Sequence, residues 1–282
     1  MNLKKEVTLS EFFHSCSKKS TSLYKDFVFI LTEKLNKNHA ALISGQESLT
    51  FKDQELLYDW IQKKENDYPI QYFVNEVEFC GMSFYVEEGA LIPRMETEEI
   101  VYHALDIVKK NSIRVKKIID VGAGTGCMGI SAAHNLKENL EKLVLLEPSK
   151  EALKSLQVNI ERFNIKGHEV YGEPFENFVI EDKFDLILSN PPYIQLGDID
   201  VQNSVYKYEP HKALYGGSDP VSLIVLWANK SYHFLNDKGL MVFEFSHDQK
   251  EQLKQKLSHL KPKFYKDSFG KDRFFSVLKK EV

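Results

Sequence analysis

The chain has 282 residues, 43% hydrophobic and 28% charged, with a formal net charge of −4. That length admits one large domain or two ordinary ones, and the balance is that of a globular protein. The longest uninterrupted apolar run, Leu223–Ala228, has six residues; it is too short to cross a bilayer as a helix. The net negative charge argues against a broad nucleic-acid footprint.

The first residues, MNLKKEVTLSEFF, have a basic start but no apolar core, so they do not read as a secretory signal. Thr8 and Glu11 stand at capping-box spacing, with Leu9, Phe12, Phe13 and Cys16 at helical intervals after them. Leu23, Phe27, Ile30, Leu31 and Leu35 define the apolar face of a second helix. Thr50 is placed to cap a third, striped by Leu56, Leu57, Trp60 and Ile61. The pattern predicts a small helical bundle over residues 1–75. Those residues contain ten Lys, no Arg and ten Asp or Glu, so the bundle is electrically neutral. Cys16, Cys80 and Cys127 lack both disulfide and metal-ligand spacing, which fits a reducing, cytoplasmic setting without a metal site.

Between Phe73 and Pro93, branched and aromatic residues alternate with polar ones around Gly81, which predicts a β-hairpin, 76–93, joining two domains. From about Ile118 the rhythm becomes strand, loop, helix. Strands are expected at KIIDV, KLVLLE, HEVY, FDLILS, LMVFEF, FYKDS and FFSVL. Helices are expected near 126–136, 149–163, 221–235 and 247–260. This alternation implies an α/β domain over 94–282 with a mainly parallel sheet covered on both faces. The last two strands are separated only by FGKD, so they should close the chain as an antiparallel hairpin.

Two loops carry chemistry. In IIDVGAGTGCMGI a strand ends at Asp120–Val121, and Gly122–Ala123–Gly124–Thr125–Gly126 leads into a helix. Glycines there allow a tight turn and close approach of a ligand to the helix N-terminus. Glu147 closes the next strand, where an acid can accept hydrogen bonds from both hydroxyls of a ribose. The ligand is S-adenosylmethionine or a dinucleotide, because Gly124, Gly126 and Gly129 also satisfy G-x-G-x-x-G; the alternative is a purely structural turn. Asp120 favours S-adenosylmethionine: its carboxylate suits a cationic amino group and would repel a pyrophosphate.

The second loop ends the strand FDLILS with Asn190-Pro191-Pro192-Tyr193. Two prolines remove two backbone donors and fix two φ angles, and Asn190 is pushed towards an extended conformation. The result is a stiff loop with free acceptors, beyond the carboxyl end of a strand, where ligands bind in open α/β sheets.

Asp-x-Gly-x-Gly-x-Gly followed by Asn-Pro-Pro-Tyr resembles the amino methyltransferases that use S-adenosylmethionine and act on adenine N6, guanine N2 or a glutamine amide. The segments Tyr68–Glu98 and Tyr208–Gly217 resemble, more narrowly, the release factor glutamine methyltransferase family. The resemblance implies a Rossmann-like, seven-stranded class I methyltransferase domain beside a helical substrate-binding domain. It implies transfer of a methyl group from S-adenosylmethionine, leaving S-adenosylhomocysteine, to the glutamine of the Gly-Gly-Gln loop in peptide chain release factors. Asn190, Pro191 and Tyr193 would be catalytic, and Asn190, Pro191, Pro192 and Tyr193 would hold the substrate amide. The Asn190 side-chain oxygen and the Pro191 carbonyl would accept its two hydrogens, and Tyr193 would lie against its plane. The cofactor set would be Asp120, Gly122, Ala123, Gly124, Thr125, Gly126, Glu147, Glu173, Pro174 and Asn190. No metal, membrane or stable nucleic-acid partner is expected. The chain departs from the family pattern at Met95, where a proline is usual, and at Glu173-Pro174, beside the adenine. The alternatives are an adenine DNA or guanine rRNA methyltransferase, a ribosomal protein glutamine methyltransferase, and a non-enzymatic dinucleotide-binding or scaffold protein.

Overall fold

The computed structural model describes residues 6–16, 20–197 and 202–281. The chain divides into two compact units, Met1–Glu76 with Asn203–Tyr208, and Val77–Gln202 with Glu209–Val282.

The first unit is helical where the apolar spacing predicts helix. Its helices include Leu9–Ser15, Thr21–Leu35 and Phe51–Lys64, and capping boxes at Thr8 and Thr50 satisfy orphan N–H groups at two of their starts. Leu9, Phe12, Phe27, Ile30, Leu31, Leu57 and Trp60 meet in its core. Leu35, expected on the apolar face, is exposed, because the helix ends there and Asn36 turns the chain with φ 51°. A two-residue antiparallel pairing of Val7–Thr8 with Ser48–Leu49 is an addition to the expected bundle. The helix Asn203–Tyr208 completes this unit: the Tyr208 hydroxyl donates to the Asn66 carbonyl at 2.9 Å, and its ring stands edge-on to Tyr68.

In the second unit the large sheet is built from β1 (Lys117–Val121), β2 (Lys142–Leu146), β3 (His168–Tyr171), β4 (Phe184–Ser189), β5 (Leu235–Glu244), β6 (Lys263–Lys266) and β7 (Asp272–Leu278). Their order is β6-β7-β5-β4-β1-β2-β3. β1 to β5 are mutually parallel, and β7 runs antiparallel to both neighbours, so β6 and β7 form the expected closing hairpin. The main helices are α1 (Met95–Lys110), α2 (Cys127–Leu136), α3 (Lys150–Arg162) and α4 (Pro220–Phe234). The predicted helix 247–260 is shorter than its pattern: a seven-residue helix, Lys250–Lys256, flanked by 3₁₀ turns. The core is built from Ile119, Val121, Val144, Leu146, Phe184, Ile187, Met241, Phe243 and their neighbours.

The register places the chemistry. Val121 pairs with Leu146 on one side and Ser189 on the other, Leu146 with Tyr171, and Ser189 with Phe243. One residue beyond this row stand Glu147, Gly122, Asn190 and Glu244. Strand order reverses between β1 and β4, so the crevice lies where their loops diverge.

Before α1, a hairpin of Glu76–Phe79 and Met82–Tyr85 turns at Cys80 and Gly81, with φ of 53° and 70°, the two positive values of a type I′ turn. Buried Asn159 on α3 anchors the end of this hairpin. Its Oδ1 accepts from Tyr85 N at 2.7 Å, and its Nδ2 donates to the carbonyls of Tyr85 and Thr125, both at 2.9 Å. One side chain thus joins the hairpin to the glycine loop.

Candidate active site

A cleft of about 850 Å³ opens at the strand ends, lined by Gly122, Ala123, Gly124, Thr125, Glu147, Pro174, Asn190 and Pro192 among the expected residues. It is also lined by residues that sequence reasoning did not place there, among them Thr97, His211, Lys212 and Trp227. Asp120, Gly126, Glu173, Pro191 and Tyr193, also expected in the site, are not part of this lining.

The glycine loop is shaped by its surroundings. Gly126 has φ 81°, and a Cβ there would lie 2.4 Å from Leu156 Cδ1. Gly124 donates its N–H to Glu147 Oε2 at 2.8 Å, and Ser149 N donates to Glu147 Oε1 at 2.7 Å. Burial pushes the Glu147 carboxyl up, and these two N–H donors pull it back. Each oxygen keeps a further lone pair, as a ribose diol requires.

Asp120 is wholly buried beneath the loop. Its Oδ2 accepts from Gly129 N at 2.7 Å, while Oδ1 has no hydrogen-bond partner. Burial drives this carboxyl up to about 7 against the pull of the Gly129 N–H. A half-satisfied buried carboxylate invites a cation. An ammonium beside the glycine loop would meet that demand, so the residues present fit S-adenosylmethionine.

Trp227, on α4, forms another wall. Its Nε1 donates to Glu176 Oε1 at 2.7 Å, and the far edge of the ring reaches the glycine loop, 3.5 Å from where a Gly122 Cβ would stand. Both ends of the indole are therefore fixed. Its place within the run LIVLWA reads as ordinary helix core, and only the tertiary fold turns it towards the cleft.

The Asn190–Tyr193 loop is held on every side. Asn190 Nδ2 donates to Thr97 Oγ1 at 3.3 Å, and the Thr97 hydroxyl donates to Glu244 Oε2 at 2.8 Å. The Tyr193 hydroxyl donates to Glu244 Oε1 at 3.2 Å, and Gln249 Nε2 donates to the Tyr193 carbonyl at 2.7 Å. Tyr193 is partly buried and packs against the core, with its hydroxyl on Glu244. Burial, then the Glu244 carboxylate, raises its phenol well above the usual range.

Glu244 is buried, and no sequence motif marks it. The available signal is its place: it closes GLMVFE as Glu147 closes KLVLLE. Burial pushes its carboxyl up to about 7, opposed by Thr97, Arg273 and Tyr193.

The segment Leu214–Gly217 packs onto the chain just beyond this loop. Ile194 N donates to Leu214 O, Gly216 N to Ile194 O and Leu196 N to Gly217 O, each at 3.0 Å. Gly216 lies so close to Pro192 that a Cβ would sit 2.4 Å from its carbonyl oxygen. Among the described residues, no group of three His, Cys, Asp or Glu side chains could hold a metal ion, and no helix is long and apolar enough to cross a membrane.

Comparison with known proteins accords with this geometry. Residues 104–207 match the Methyltransferase small domain family. The chain is 32% identical to the release factor glutamine methyltransferase of Borreliella burgdorferi, over 80% of this chain and 79% of that one. It is 30% identical to the protein of that name from Clostridium botulinum, over 90% and 91% of the two chains. With the Enterococcus faecalis counterpart it shares 33% identity over 82% and 83%. Among solved structures, the hMettl16 catalytic domain superposes with a TM-score of 0.55 at 12% identity, over 70% of this chain and 76% of that one. The T. thermophilus rRNA methyltransferase RsmC does so with 0.50 at 15%, over 73% and 50%. At such identities these two structures speak for the fold alone. The fold is that of a class I methyltransferase, and by its relatives the chain belongs to the release factor glutamine methyltransferase family.

Proposed function

We propose that this protein transfers a methyl group from S-adenosylmethionine to the side-chain amide nitrogen of the glutamine in the Gly-Gly-Gln loop of peptide chain release factors, releasing S-adenosylhomocysteine. One observation carries the reading beyond family membership. Asn190 turns its NH2 towards Thr97 and stands in the cleft shared by the glycine loop and Glu147, leaving its side-chain oxygen for a substrate donor.

An amide nitrogen is a poor nucleophile because its lone pair is delocalised into the carbonyl. The work of the site is therefore grip and aim. S-adenosylmethionine, when bound, supplies an electrophilic methyl carbon. In this reading Asp120, whose Oδ1 has no other partner, takes its amino group, Glu147 its ribose, and Pro174 and Trp227 form an apolar flank. Asn190 Oδ1 and the Pro191 carbonyl accept the two hydrogens of the substrate amide, which fixes its plane and enriches its nitrogen. Such positioning is worth up to ~7–11 kcal/mol in the best intramolecular cases. The rigid Pro191–Pro192 pair keeps these acceptors from relaxing. The helical unit is the natural holder of the protein substrate, and a cytoplasmic setting follows from that substrate.

Incubation with methyl-labelled S-adenosylmethionine and a release factor tests the reading. Label on the Gly-Gly-Gln glutamine supports it. Label on nucleic-acid bases, or on a ribosomal protein and not on the release factor, overturns it.

A further inference from the structure

We propose that Glu244 is a positioning residue that sets which end of the Asn190 amide faces the cleft. The inference rests on the reading of Asn190 as the acceptor for the substrate amide, and it explains how that acceptor is kept the right way round.

The two ends of an asparagine amide have nearly the same shape, so only hydrogen-bond partners tell them apart. Thr97 lies beside Asn190, and a hydroxyl alone does not choose, since it both donates and accepts. Glu244 removes the ambiguity. An ionised carboxylate only accepts, and both oxygens of Glu244 are taken by hydroxyls, Thr97 at 2.8 Å and Tyr193 at 3.2 Å. The single Thr97 hydrogen is therefore directed at Glu244. What Thr97 offers Asn190 is a lone pair, and only the NH2 end can answer it, at 3.3 Å. The oxygen end is left for the cleft. The negative charge of Glu244 thus reads out, through one hydroxyl, as a fixed acceptor.

The placement has a cost, which argues for a role. Glu244 is 1% exposed, and a buried carboxylate held by neutral hydroxyls weakens the fold. The groups facing it are Thr97 and Glu96 from α1, Tyr193 from the proline loop and Arg273 from β7. The Arg273 Nε is bound to Asp267 at 3.1 Å, so it supports Glu244 from a distance.

Glu244→Gln keeps the shape and removes the charge. Its NH2 can donate to Thr97, which frees the Thr97 hydrogen to meet the Asn190 oxygen and reverses the amide. The expected result is a fall in kcat of ~10²–10³-fold, the usual effect of losing one oriented polar contact in an active site. Affinity for S-adenosylhomocysteine should change by less than about three-fold, and thermal stability at pH 8 should equal or exceed that of the wild type. Thr97→Val should match Glu244→Gln, and Thr97→Ser, which restores the hydroxyl, should recover most of the rate. The wild-type kcat should fall as pH drops through about 7, as Glu244 takes up a proton.

Nitrogen-15 NMR of the Asn190 side-chain NH2 tests the relay without any reaction. Shifts and slowed exchange that are lost in Glu244→Gln and Thr97→Val but kept in Thr97→Ser support it. If the wild type methylates a release factor and Glu244→Gln keeps its kcat, the proposal is wrong. If the wild type methylates none, the acceptor reading fails, and NH2 signals indifferent to Glu244→Gln overturn the relay on their own.

Discussion

Glu209 binds Arg94 from a buried position: its Oε1 accepts from Arg94 Nη2 at 2.5 Å, and its Oε2 accepts the Ile92 N–H at 3.1 Å. The Glu209 side chain is 2% exposed and that of Arg94 32%. Arg94 is thus the partner of a buried acid rather than one half of a surface ion pair. The contact fastens the chain entering α1 to the segment that begins with Pro210, and both stretches line the cleft. Glu209→Ala leaves the Ile92 N–H without its acceptor and Arg94 without its partner. It should destabilise the fold by ~3–5 kcal/mol, as breaking a buried pair does. Urea denaturation measures this, and a loss under about 1 kcal/mol, typical of surface pairs, contradicts it.

Gly216 and Gly217 separate sterics from backbone strain. A Cβ on Gly216 would lie 2.4 Å from the Pro192 carbonyl oxygen and 2.7 Å from Pro220 Cβ. Neither is the end of a flexible side chain, so the Asn190–Tyr193 loop must shift. Gly216→Ala should therefore cost ~1–3 kcal/mol of stability and most of the methyl transfer, since a displacement of an ångström can cost 10²-fold. Gly217 has φ 83° and open space around its Cβ position, so Gly217→Ala should cost only ~1–2 kcal/mol of strain and leave the transfer rate nearer to wild type. Parallel denaturation and rate measurements on the two variants check the contrast.

Much of the fold is legible from the amino acids. All seven strands of the large sheet carry branched or aromatic runs, and the two loops follow strands whose ends the apolar pattern marks clearly. Several elements are too short to show any period: His39–Ser44, Ile70–Val74, Asn203–Tyr208 and His211–Leu214. The return of Asn203–Tyr208 to the helical unit depends on aromatic contacts with Tyr68 that no local pattern announces. Glu244 and Thr97 are hidden for another reason. Their meaning depends on β5 lying beside β4, and strand order is not written in periodicity. Trp227 has the spacing of a core residue, and lines the cleft only through the tertiary packing of α4.

Trp227 gives an optical handle on the cleft. The chain has two tryptophans, Trp60 and Trp227. In a Trp60→Phe background the remaining emission comes from the indole against the glycine loop. S-adenosylhomocysteine should change that emission saturably. Trp227→Leu should weaken binding by roughly five-fold, in keeping with an aromatic contact worth about 1 kcal/mol. Emission that ignores the ligand would remove Trp227 from the cofactor wall.

The proposed role of Asp120 makes cofactor binding depend on pH. Its carboxyl is raised from 3.8 to about 7 by burial. A folded-state value above the unfolded one means the charged form costs stability above pH 7, a cost that fades as pH falls towards 3.8. Asp120→Asn should therefore raise the urea midpoint at pH 8 while weakening S-adenosylmethionine. If Asp120 holds the ligand's ammonium, as proposed, a proton on its carboxyl competes with that ammonium. Affinity should drop below pH 7 by up to about ten-fold per unit. Calorimetry at pH 8, 7 and 6 would show the slope, and an affinity that is flat with pH would separate Asp120 from the amino group.

The most direct test of the account is Asn190→Ala, with methyl transfer to a release factor and S-adenosylhomocysteine affinity measured on the same preparation. If the Asn190 side chain holds the substrate amide, as proposed, transfer should fall by at least ~10²-fold while the dissociation constant moves by less than about three-fold. Retained transfer, or a collapse of cofactor affinity with the fold intact, would contradict the assignment of Asn190 as the group that grips the glutamine.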